Sequence, residues 1–342
     1  MKKNKSKFII PLISLLLIGC SGKQNQISVF IYDENDTFLK ELVSYLKADL
    51  TRESIEYSLN YAKRSQAVQN NQITKEIESK ENRLLLINTV DRLSDSTIIE
   101  KATLYNLPII FFNREPLDRD LNGHSNCYYV GSNPKTEGLL QAELAANLFS
   151  DPKSLNPKYD KNGDGQIQIV LLKGEQGHQD MENRSKYCID GLKDKGYNLD
   201  ILTTTYCNWN RLEGYDAMST IYPLYGSEME LLFSNNDDMA LGAIDYFLEK
   251  EIFIKDAADV SEQPFPIIGV DATIYGQEAI KDHYLYATIK NDSLTQADAV
   301  TTLASYLINN KEIPTDGTFP YPFTSTNKIY IEGKALTLSD IL

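Results

Sequence analysis

Residues 160–168, which read DKNGDGQIQ, combine oxygen-bearing side chains and glycines in a pattern suited to a hard cation. Oxygen side chains stand at positions 1, 3, 5 and 9 of the loop, glycine at position 6, and a backbone carbonyl at position 7, as in the first nine residues of an EF-hand calcium loop. Position 12, which should supply a bidentate carboxylate, is Leu171, so a carboxylate must come from elsewhere in the fold. The pattern predicts a calcium site, and an Asx-rich turn without metal is the alternative.

A second cluster follows the apolar run that ends near Leu172. The segment KGEQGHQD places His178 and Asp180 where a glycine-containing loop opens a helix, and Arg184 follows Asp180 by four residues. Residues four apart share one face of a helix, so Asp180 and Arg184 are expected to lie side by side. Such a pair is usually a solvated surface ion pair. Its position at the carboxyl end of a strand favours a ligand-binding face, because ligands of doubly wound sheets bind there.

Polar and aromatic side chains recur after the other apolar runs. They are Asp36, Phe38, Asn113, Asn236, Asp271 and Asn291, and the single tryptophan is Trp209. Carboxylates and amides supply paired hydrogen-bond donors and acceptors for hydroxyl groups, while aromatic rings can cover the apolar C–H faces of a sugar. Each Asn alone is better explained as a turn or helix cap, and each aromatic alone as core packing. Their joint recurrence predicts a site for a neutral polyol.

These side chains need a scaffold of alternating strands and helices. Apolar runs of strand length lie at 28–32, 83–87, 108–112, 167–172, 199–203, 231–233, 265–270 and 284–289. Stretches with helical periodicity lie at 37–47, 135–149, 181–195, 239–249 and 294–308. Continuous apolar strands that alternate with helices are typical of parallel sheets covered on both faces. We therefore predict an α/β fold of two doubly wound parallel-sheet lobes, with breaks near 131–133 and 290–293.

The N-terminus has the pattern of an export signal. Four lysines precede an apolar run from Phe8 to Ile18, which is too short to span a membrane. The run ends in Leu-Ile-Gly-Cys, which resembles a bacterial lipobox. We expect residues 1–19 to be a signal peptide, Cys20 to carry the lipid, and residues 20–26 to form a tether. A plain signal peptide or a core helix is the alternative. The expected location is the cell envelope, on its periplasmic or extracellular face.

Length and charge exclude several classes of protein. A chain of 342 residues is long enough for two domains. Loss of residues 1–19 removes four lysines and no acidic residue, which leaves 30 basic and 48 acidic residues and a formal charge of −18. No nucleic-acid partner is expected for so acidic a protein.

With Cys20 assigned to lipid, three cysteines remain. Cys127, Cys188 and Cys207 are expected to be buried free thiols, although one disulfide is possible.

Several segments together resemble the galactose/glucose-binding proteins of bacterial sugar uptake, which have the type I periplasmic-binding-protein fold. They are VFIYDENDTF, PIIFFNREP, YYVGSNPKTEG, DKNGDGQIQIVLLKGEQGHQD, FSNNDDMALGA, IIGVDA and YATIKND, in that order. The resemblance implies a sugar site made of Asp36, Phe38, Asn113, His178, Asp180, Arg184, Trp209, Asn236, Asp271 and Asn291. It also implies that Phe38 and Trp209 sandwich the pyranose ring, and that Asp36 accepts from the O4 hydroxyl of either epimer. The stretches 203–222 and 315–327 follow the family pattern only loosely.

The resemblance also completes the calcium loop. It implies that Glu230, which lies far away in the sequence, is the bidentate ligand that position 12 lacks. The implied side-chain ligands are Asp160, Asn162, Asp164, Gln168 and Glu230, and Gln166 is implied to bind through its backbone carbonyl. An ion held in this way is structural, because protein oxygens leave no open position for a reacting water.

The function implied by the resemblance is capture of a monosaccharide, galactose or glucose, by hinge closure. One lobe would comprise residues 27–131 and 292–327, and the other residues 132–291 and 328–342, joined by three crossovers. The closed monomer would present both lobes to an ABC permease. A sugar sensor that signals to a chemoreceptor without transport is the alternative.

Two other functions are disfavoured by the sequence. An exported sugar hydrolase could use Asp36 and Asp271 as an acid and base pair. The sequence carries neither G-x-S-x-G nor H-E-x-x-H, so no enzymatic activity is expected. A sugar-sensing transcription regulator would begin with a helix-turn-helix instead of an export signal.

Overall fold

A computed structural model describes residues 26–325 and 327–342. The expected signal peptide, Cys20 and nearly all of the tether lie outside the described residues. In chain order the strands are β1 (Gln26–Ile31), β2 (Glu56–Tyr61), β3 (Leu84–Ile87), β4 (Ile109–Phe112), β5 (Cys127–Ser132), β6 (Ser150–Asp151), β7 (Ser154–Leu155), β8 (Gln166–Lys173), β9 (Asn198–Tyr206), β10 (Leu231–Ser234), β11 (Ile267–Asp271), β12 (Ala287–Lys290), β13 (Phe323–Ser325), β14 (Lys328–Ile331) and β15 (Lys334–Leu336). The helices are α1 (Thr37–Arg52), α2 (Gln66–Ser79), α3 (Asp95–Leu104), α4 (Asp118–Leu121), α5 (Pro134–Phe149), α6 (Gln179–Asp194), α7 (Arg211–Tyr225), α8 (Asp237–Glu249), α9 (Ile274–Lys281), α10 (Ser293–Ile308) and α11 (Leu338–Ile341).

Thirteen of these strands form two large sheets, and β6 and β7 form a separate antiparallel pair. The first has the order β13-β14-β5-β4-β3-β1-β2, and the second has the order β15-β12-β11-β10-β8-β9. Pairing is parallel throughout except at one edge of each sheet, where β13 lies antiparallel to β14 and β15 lies antiparallel to β12. The prediction of an α/β fold with two doubly wound, parallel-rich sheets is confirmed. We call the first sheet with α1–α4 and α10 the first lobe, and the second sheet with α5–α9 and α11 the second lobe.

The strands form where they do because helices bury both faces of each sheet. In β4, Ile110 and Phe112 join the core cluster under α1 and α10, whereas Ile109 and Phe111 join the cluster under α2 and α3. The second sheet is likewise covered by α5 and α6 on one face and by α7, α8 and α9 on the other. Strands buried on both faces must be apolar at every position, which is why they appear as unbroken apolar runs in the sequence.

The chain crosses between the two sheets three times. It leaves the first sheet after β5, returns after β12 and crosses again between β14 and β15. The third crossing does not lie where the sequence analysis expected it, after residue 327. Strand β14 pairs in parallel with β5, from Lys328 opposite Tyr129 to Ile331 opposite Ser132, so residues 328–331 belong to the first lobe. The change of sheet occurs at Glu332 and Gly333.

Cys127, Cys188 and Cys207 are buried and carry free thiols, as the sequence analysis expected. Among residues 26–325 and 327–342, no helix has both the length and the apolar character needed to cross a bilayer.

Candidate functional site

The N-termini of three helices bring polar side chains to the carboxyl ends of the strands. Asp36 caps α1 by accepting from Leu39 N at 2.9 Å, and Asn236 caps α8 by accepting from Met239 N at 3.0 Å. His178 caps α6 through its Nδ1, which accepts from Asp180 N at 3.1 Å. Capping occupies one atom of each side chain and fixes its orientation. The cap explanation and a binding role are therefore compatible at these positions.

A cavity lies between the two lobes, at the carboxyl ends of both sheets. All ten residues of the expected sugar site line it, and Tyr32 and Arg114 complete the lining. The first lobe contributes the residues that follow β1 and β4, and the second lobe those that follow β8, β9, β10, β11 and β12.

The two aromatic residues of the expected site come from opposite lobes. Phe38 lies in the first turn of α1, and Trp209 lies just before α7 with a positive φ of 63°. A Cβ atom at Gly174 would lie 2.2 Å from the indole, so only glycine allows Trp209 to occupy this position. His178 packs edge-on against the indole, with ring centroids 5.0 Å apart. The indole Nε1 is buried without a hydrogen-bond partner.

Arg184 is the central cation of the cavity and is only 3% exposed. Its Nε donates to Glu137 Oε2 at 2.7 Å and its Nη1 donates to the carbonyl of Asn235 at 2.9 Å. Its Nη2 lies 3.7 Å from Asp180 Oδ2, and its Nη1 lies 3.8 Å from Asp271 Oδ1. Nη2 and Asp180 Oδ1 are buried and have no hydrogen-bond partner in the protein. The arrangement can therefore offer both a donor and an acceptor to a polar ligand.

Burial is the largest cause of the pKa shifts of Asp180, Asp271 and His178 in this cavity. It raises the pKa of Asp180 to about 7, although Arg184 opposes the shift. Burial also raises the pKa of Asp271 well above its ordinary value. It lowers the pKa of His178, and the nearby Arg114 and Arg184 lower it further, so the imidazole is neutral at pH 7. The cavity thus contains neutral and charged hydrogen-bonding groups side by side.

Two residues at the carboxyl ends of strands bordering the cavity have unusual backbone conformations. Asn113 has φ of 62° and Asp271 has φ of 112°, both in the range that disfavours L-residues with a side chain. Neighbouring amides hold these side chains in place. Asn88 donates to Asn113 Oδ1 at 3.0 Å, and Asn291 donates to Asp271 Oδ1 at 3.2 Å. Such strain clusters at functional sites, where the surrounding structure maintains it.

Two residues of the cavity, Tyr32 and Arg114, were not predicted from the sequence. The Arg114 guanidinium lies 3.7 Å from the centre of the Tyr32 ring, and Tyr32 donates its hydroxyl proton to Asp36 at 2.6 Å. Arg114 also donates to Glu175 Oε2 at 2.8 Å, across the cleft between the lobes. Both residues were detectable in principle, because Tyr32 directly follows β1 and Arg114 directly follows Asn113.

Further contacts hold the lobes together. Thr37 donates its hydroxyl proton to Asp238 at 2.7 Å, so that α1 of the first lobe meets α8 of the second. The side-chain amide of Gln179 accepts from Arg92 at 2.8 Å and donates to Glu115 at 2.6 Å. These contacts describe a closed arrangement of the two lobes around the cavity.

The loop at residues 160–168 has the turn that the calcium pattern requires. Gly163 and Gly165 have φ of 71° and 73°, and no atom lies within 4 Å of the place where a Cβ would be. Asp160 accepts from Gly163 N at 2.9 Å, and Asp164 accepts from Gln166 N at 2.8 Å. Gln168 Oε1 is buried without a hydrogen-bond partner. An unpartnered amide oxygen beside carboxylates fits the ligand chemistry of calcium.

Glu230 connects this loop to the second sheet. It lies next to β10 and accepts from Lys161 N at 2.6 Å and from Gln168 N at 3.4 Å. Burial raises its pKa to about 7. Among residues 26–325 and 327–342, no group of three or more His, Cys, Asp and Glu side chains is arranged to hold a metal ion. The three carboxylates of the expected ligand set, Asp160, Asp164 and Glu230, therefore do not form such a group, and the calcium site stays a prediction.

Comparison with known proteins identifies the family. A model of the periplasmic binding protein domain matches residues 27–312. The D-galactose/methyl-galactoside binding periplasmic protein MglB of Haemophilus influenzae is 35% identical over 300 residues, which cover 86% of this chain and 84% of that protein. The ribose import binding protein RbsB of Salmonella typhimurium is 23% identical over 207 residues, which cover 60% of this chain and 59% of that protein.

Solved structures agree with this chain in fold. An ABC transporter solute binding protein from Bacillus halodurans with bound myo-inositol has a TM-score of 0.76 at 22% identity, covering 93% of this chain and 96% of that chain. A periplasmic solute binding protein from Actinobacillus succinogenes with bound D-allose has a TM-score of 0.76 at 15% identity, covering 93% of this chain and 99% of that chain. The resemblance drawn from the sequence motifs is confirmed: the chain belongs to the periplasmic binding protein family, and it is a binding protein, not an enzyme.

Proposed function

We propose that this protein binds D-galactose or D-glucose between its lobes and delivers the sugar to an ABC permease. The observation that carries the proposal is the convergence of the ten expected residues on one cavity between the lobes. The similarity to a D-galactose/methyl-galactoside binding protein over most of both chains supports the choice of hexose.

The unpartnered atoms of the cavity suit a ring that carries hydroxyl groups. Arg184 Nη2 and Trp209 Nε1 can donate, and Asp180 Oδ1 can accept. Leaving a buried polar group without a partner costs about 1–3 kcal/mol, so a ligand that satisfies these atoms gains affinity. A hydroxyl both donates and accepts, and the aromatic faces of Phe38 and Trp209 complement the C–H faces of a pyranose. These features favour a neutral monosaccharide.

Binding would proceed by closure of the lobes on the sugar. The contacts from Thr37 to Asp238 and from Arg114 to Glu175 join the lobes and require the closed arrangement. A ligand held by both lobes binds the closed form better than the open form and therefore shifts the population toward it. The closed form then presents a surface made from both lobes to the permease.

The test is calorimetric titration of residues 24–342 with D-galactose and with D-glucose. We expect one-to-one binding that Trp209→Ala abolishes, because the indole contributes most of the apolar cover of the second lobe. Tyr275→Ala serves as a control, since Tyr275 is an exposed aromatic of the same lobe that does not line the cavity. Absence of binding to either hexose, or unchanged binding by Trp209→Ala, would contradict the proposal.

We further propose that residues 160–168 and Glu230 bind a structural calcium ion. Asp160, Asn162, Asp164, Gln168 and Glu230 would bind through side chains and Gln166 through its carbonyl. The turn at Gly163 and Gly165 and the unpartnered oxygen of Gln168 support this proposal. Calcium would hold the loop against Glu230 beside β10.

We also propose that the exported protein is anchored by a lipid on Cys20, which lies outside the described residues. The supporting feature is the lipobox-like sequence before that cysteine. Metabolic labelling with a fatty acid should mark the wild-type chain, and Cys20→Ser should abolish the label and release the protein from the membrane fraction. A labelled Cys20→Ser variant would contradict this assignment.

Delivery to a permease and signalling to a chemoreceptor can be separated genetically. In a strain that lacks the permease, sugar uptake should be lost. Chemotaxis toward galactose that persists in that strain and requires this protein would establish the sensor function.

A further inference from the structure

Glu137 is a fully buried carboxylate that contacts Arg184 of the sugar site but does not itself line the cavity. It lies in the first turn of α5 with 0% exposure. Its Oε2 accepts from Arg184 Nε at 2.7 Å, which makes it the nearest carboxylate to that guanidinium. Asp180 and Asp271 line the cavity and stand farther away, at 3.7 and 3.8 Å. The charge of Arg184 is therefore balanced by a residue that a ligand does not contact.

The other cation of the cavity is balanced in the same manner. Arg114 pairs with Glu175, which is not among the cavity residues, at 2.8 Å. The carboxylates that do line the cavity are Asp36, Asp180 and Asp271. With both arginines paired by carboxylates outside the cavity, neither offers an unpaired positive charge to the ligand. An anionic ligand would lose its hydration on entering the cavity without gaining a counter-charge.

The position of Glu137 follows from the hinge and not from the loops that surround the cavity. Helix α5 begins directly after the first crossover, and a Cβ at Gly333 of the third crossover would lie 3.1 Å from Glu137 Cγ. Arg184 lies on α6, which packs against α5 in the same lobe. Both partners therefore lie on packed helices of the second lobe, so movement of one lobe against the other would not by itself separate them.

We propose that Glu137 is a positioning residue that determines specificity: by pairing with Arg184 from outside the cavity, it restricts the site to neutral sugars and excludes sugar acids. This inference rests on the proposed function, because it concerns the ligand class of the same site. Arg184 then serves as an oriented hydrogen-bond donor for hydroxyl groups. Without the charge of Glu137, the Arg184 guanidinium would become a counter-ion for the carboxylate of a sugar acid.

The test compares D-galactose with D-galacturonate, which differ only in the carboxylate at C6. Glu137→Gln keeps an amide oxygen to accept from Arg184 Nε and removes the charge. We expect the galacturonate-to-galactose affinity ratio to rise at least about tenfold in this variant, since a unit charge near the ligand is lost. Asp49→Asn is the matched control, because it removes a buried carboxylate that pairs with Arg52 in the first lobe, and it should leave the ratio unchanged.

The outcomes separate the two proposals. Failure of the wild type to bind any neutral hexose overturns the proposed function together with this inference. Binding of galactose by the wild type, with both ligands weakened equally in Glu137→Gln, overturns only the role of Glu137 in specificity. If Glu137→Gln does not fold, competition on the wild type still tests the exclusion of sugar acids that the inference requires. A thousandfold excess of galacturonate should not displace galactose, and displacement at comparable affinity would refute the inference.

Discussion

Glu230→Gln is expected to abolish the stabilisation of this protein by calcium without destabilising the protein when calcium is absent. Glu230 is only 1% exposed, and its carboxylate accepts two backbone N–H groups, from Lys161 and Gln168. The glutamine keeps one oxygen acceptor but cannot serve as a bidentate anionic ligand.

The expected magnitudes come from two opposing effects. Burial raises the pKa of Glu230 from 4.5 to about 7. At about 1.4 kcal/mol for each pKa unit, ionising Glu230 above pH 7 costs the folded state about 3 kcal/mol. This cost already includes the two backbone hydrogen bonds, which lower the pKa of Glu230. Glutamine avoids the cost and keeps one oxygen acceptor, so Glu230→Gln should not destabilise the protein when calcium is absent. Calcium at one hundred times its Kd should stabilise the wild type by about 2.7 kcal/mol, or roughly 5–10 °C in Tm.

The pH dependence has a definite sign. The folded-state pKa of Glu230 is raised, so the stability that this group contributes without calcium is fully present below about pH 4.5 and is lost as the pH rises through about 7. Calcium requires the ionised carboxylate. Its affinity should therefore fall as the pH decreases below about 7, and binding at pH 6 should release a proton.

Thermal unfolding of residues 24–342 with calcium and with a chelator is the assay. Glu228→Gln is the matched control, because Glu228 is an exposed glutamate two residues away. It should retain the full calcium response. An equal response in Glu230→Gln would refute the assignment of Glu230 as a ligand. A wild type that does not respond at pH 8 would refute the calcium site itself.

Three further predictions follow from packing, closure and burial. A Cβ at Gly242 would lie 1.8 Å from the carbonyl oxygen of Arg211, so Gly242→Ala should separate α7 from α8 and lower the free energy of unfolding in urea by about 1–3 kcal/mol. Gly123→Ala, whose Cβ would meet its nearest neighbour at 3.7 Å, should be nearly neutral, and equal losses would contradict the packing argument. Glu175→Gln removes an ion pair across the cleft and should weaken galactose binding by about fivefold in calorimetry, whereas unchanged affinity would show that this pair does not favour closure. Burial raises the pKa of each of Cys127, Cys188 and Cys207 to about 12, so a thiol reagent at pH 8 should modify none of them before unfolding, and rapid labelling of the native protein would be inconsistent with their burial.

The central strands could be predicted from sequence, whereas edges and turns could not. Strands β3 and β4 are buried at every position and appear as unbroken apolar runs. Strand β2 reads EYSLNY and lies half-buried at a sheet edge, so it gave no such signal. The apolar run at 284–289 spans two structures. Tyr284 and Leu285 both donate to the carbonyl of Ala279 at the end of α9, and the strand begins only at Ala287.

Some residues of the sugar site could likewise be predicted from the sequence, whereas Glu137 beside it could not. Parallel strands bring their carboxyl ends to one edge of a sheet, so polar residues after strands could be grouped before the structure was known. Glu137 could not be grouped with them, because it follows no strand of its own lobe and reaches Arg184 only through the packing of α5 on α6. A contact between two helices depends on their relative orientation, which neither segment determines alone.

Because the chain passes between the two sheets three times, the two sheets cannot be completed at the same stage of export. The first sheet requires residues 26–132 and also the strands at 323–331, so neither half of the chain contains it complete. Strands β8 to β12 of the second sheet are contiguous, and they can pair before the C-terminus is available. During translocation, the first sheet must wait until almost the last residue has crossed the membrane. Its exposed edge at β5 therefore stays open to chaperones until β14 arrives.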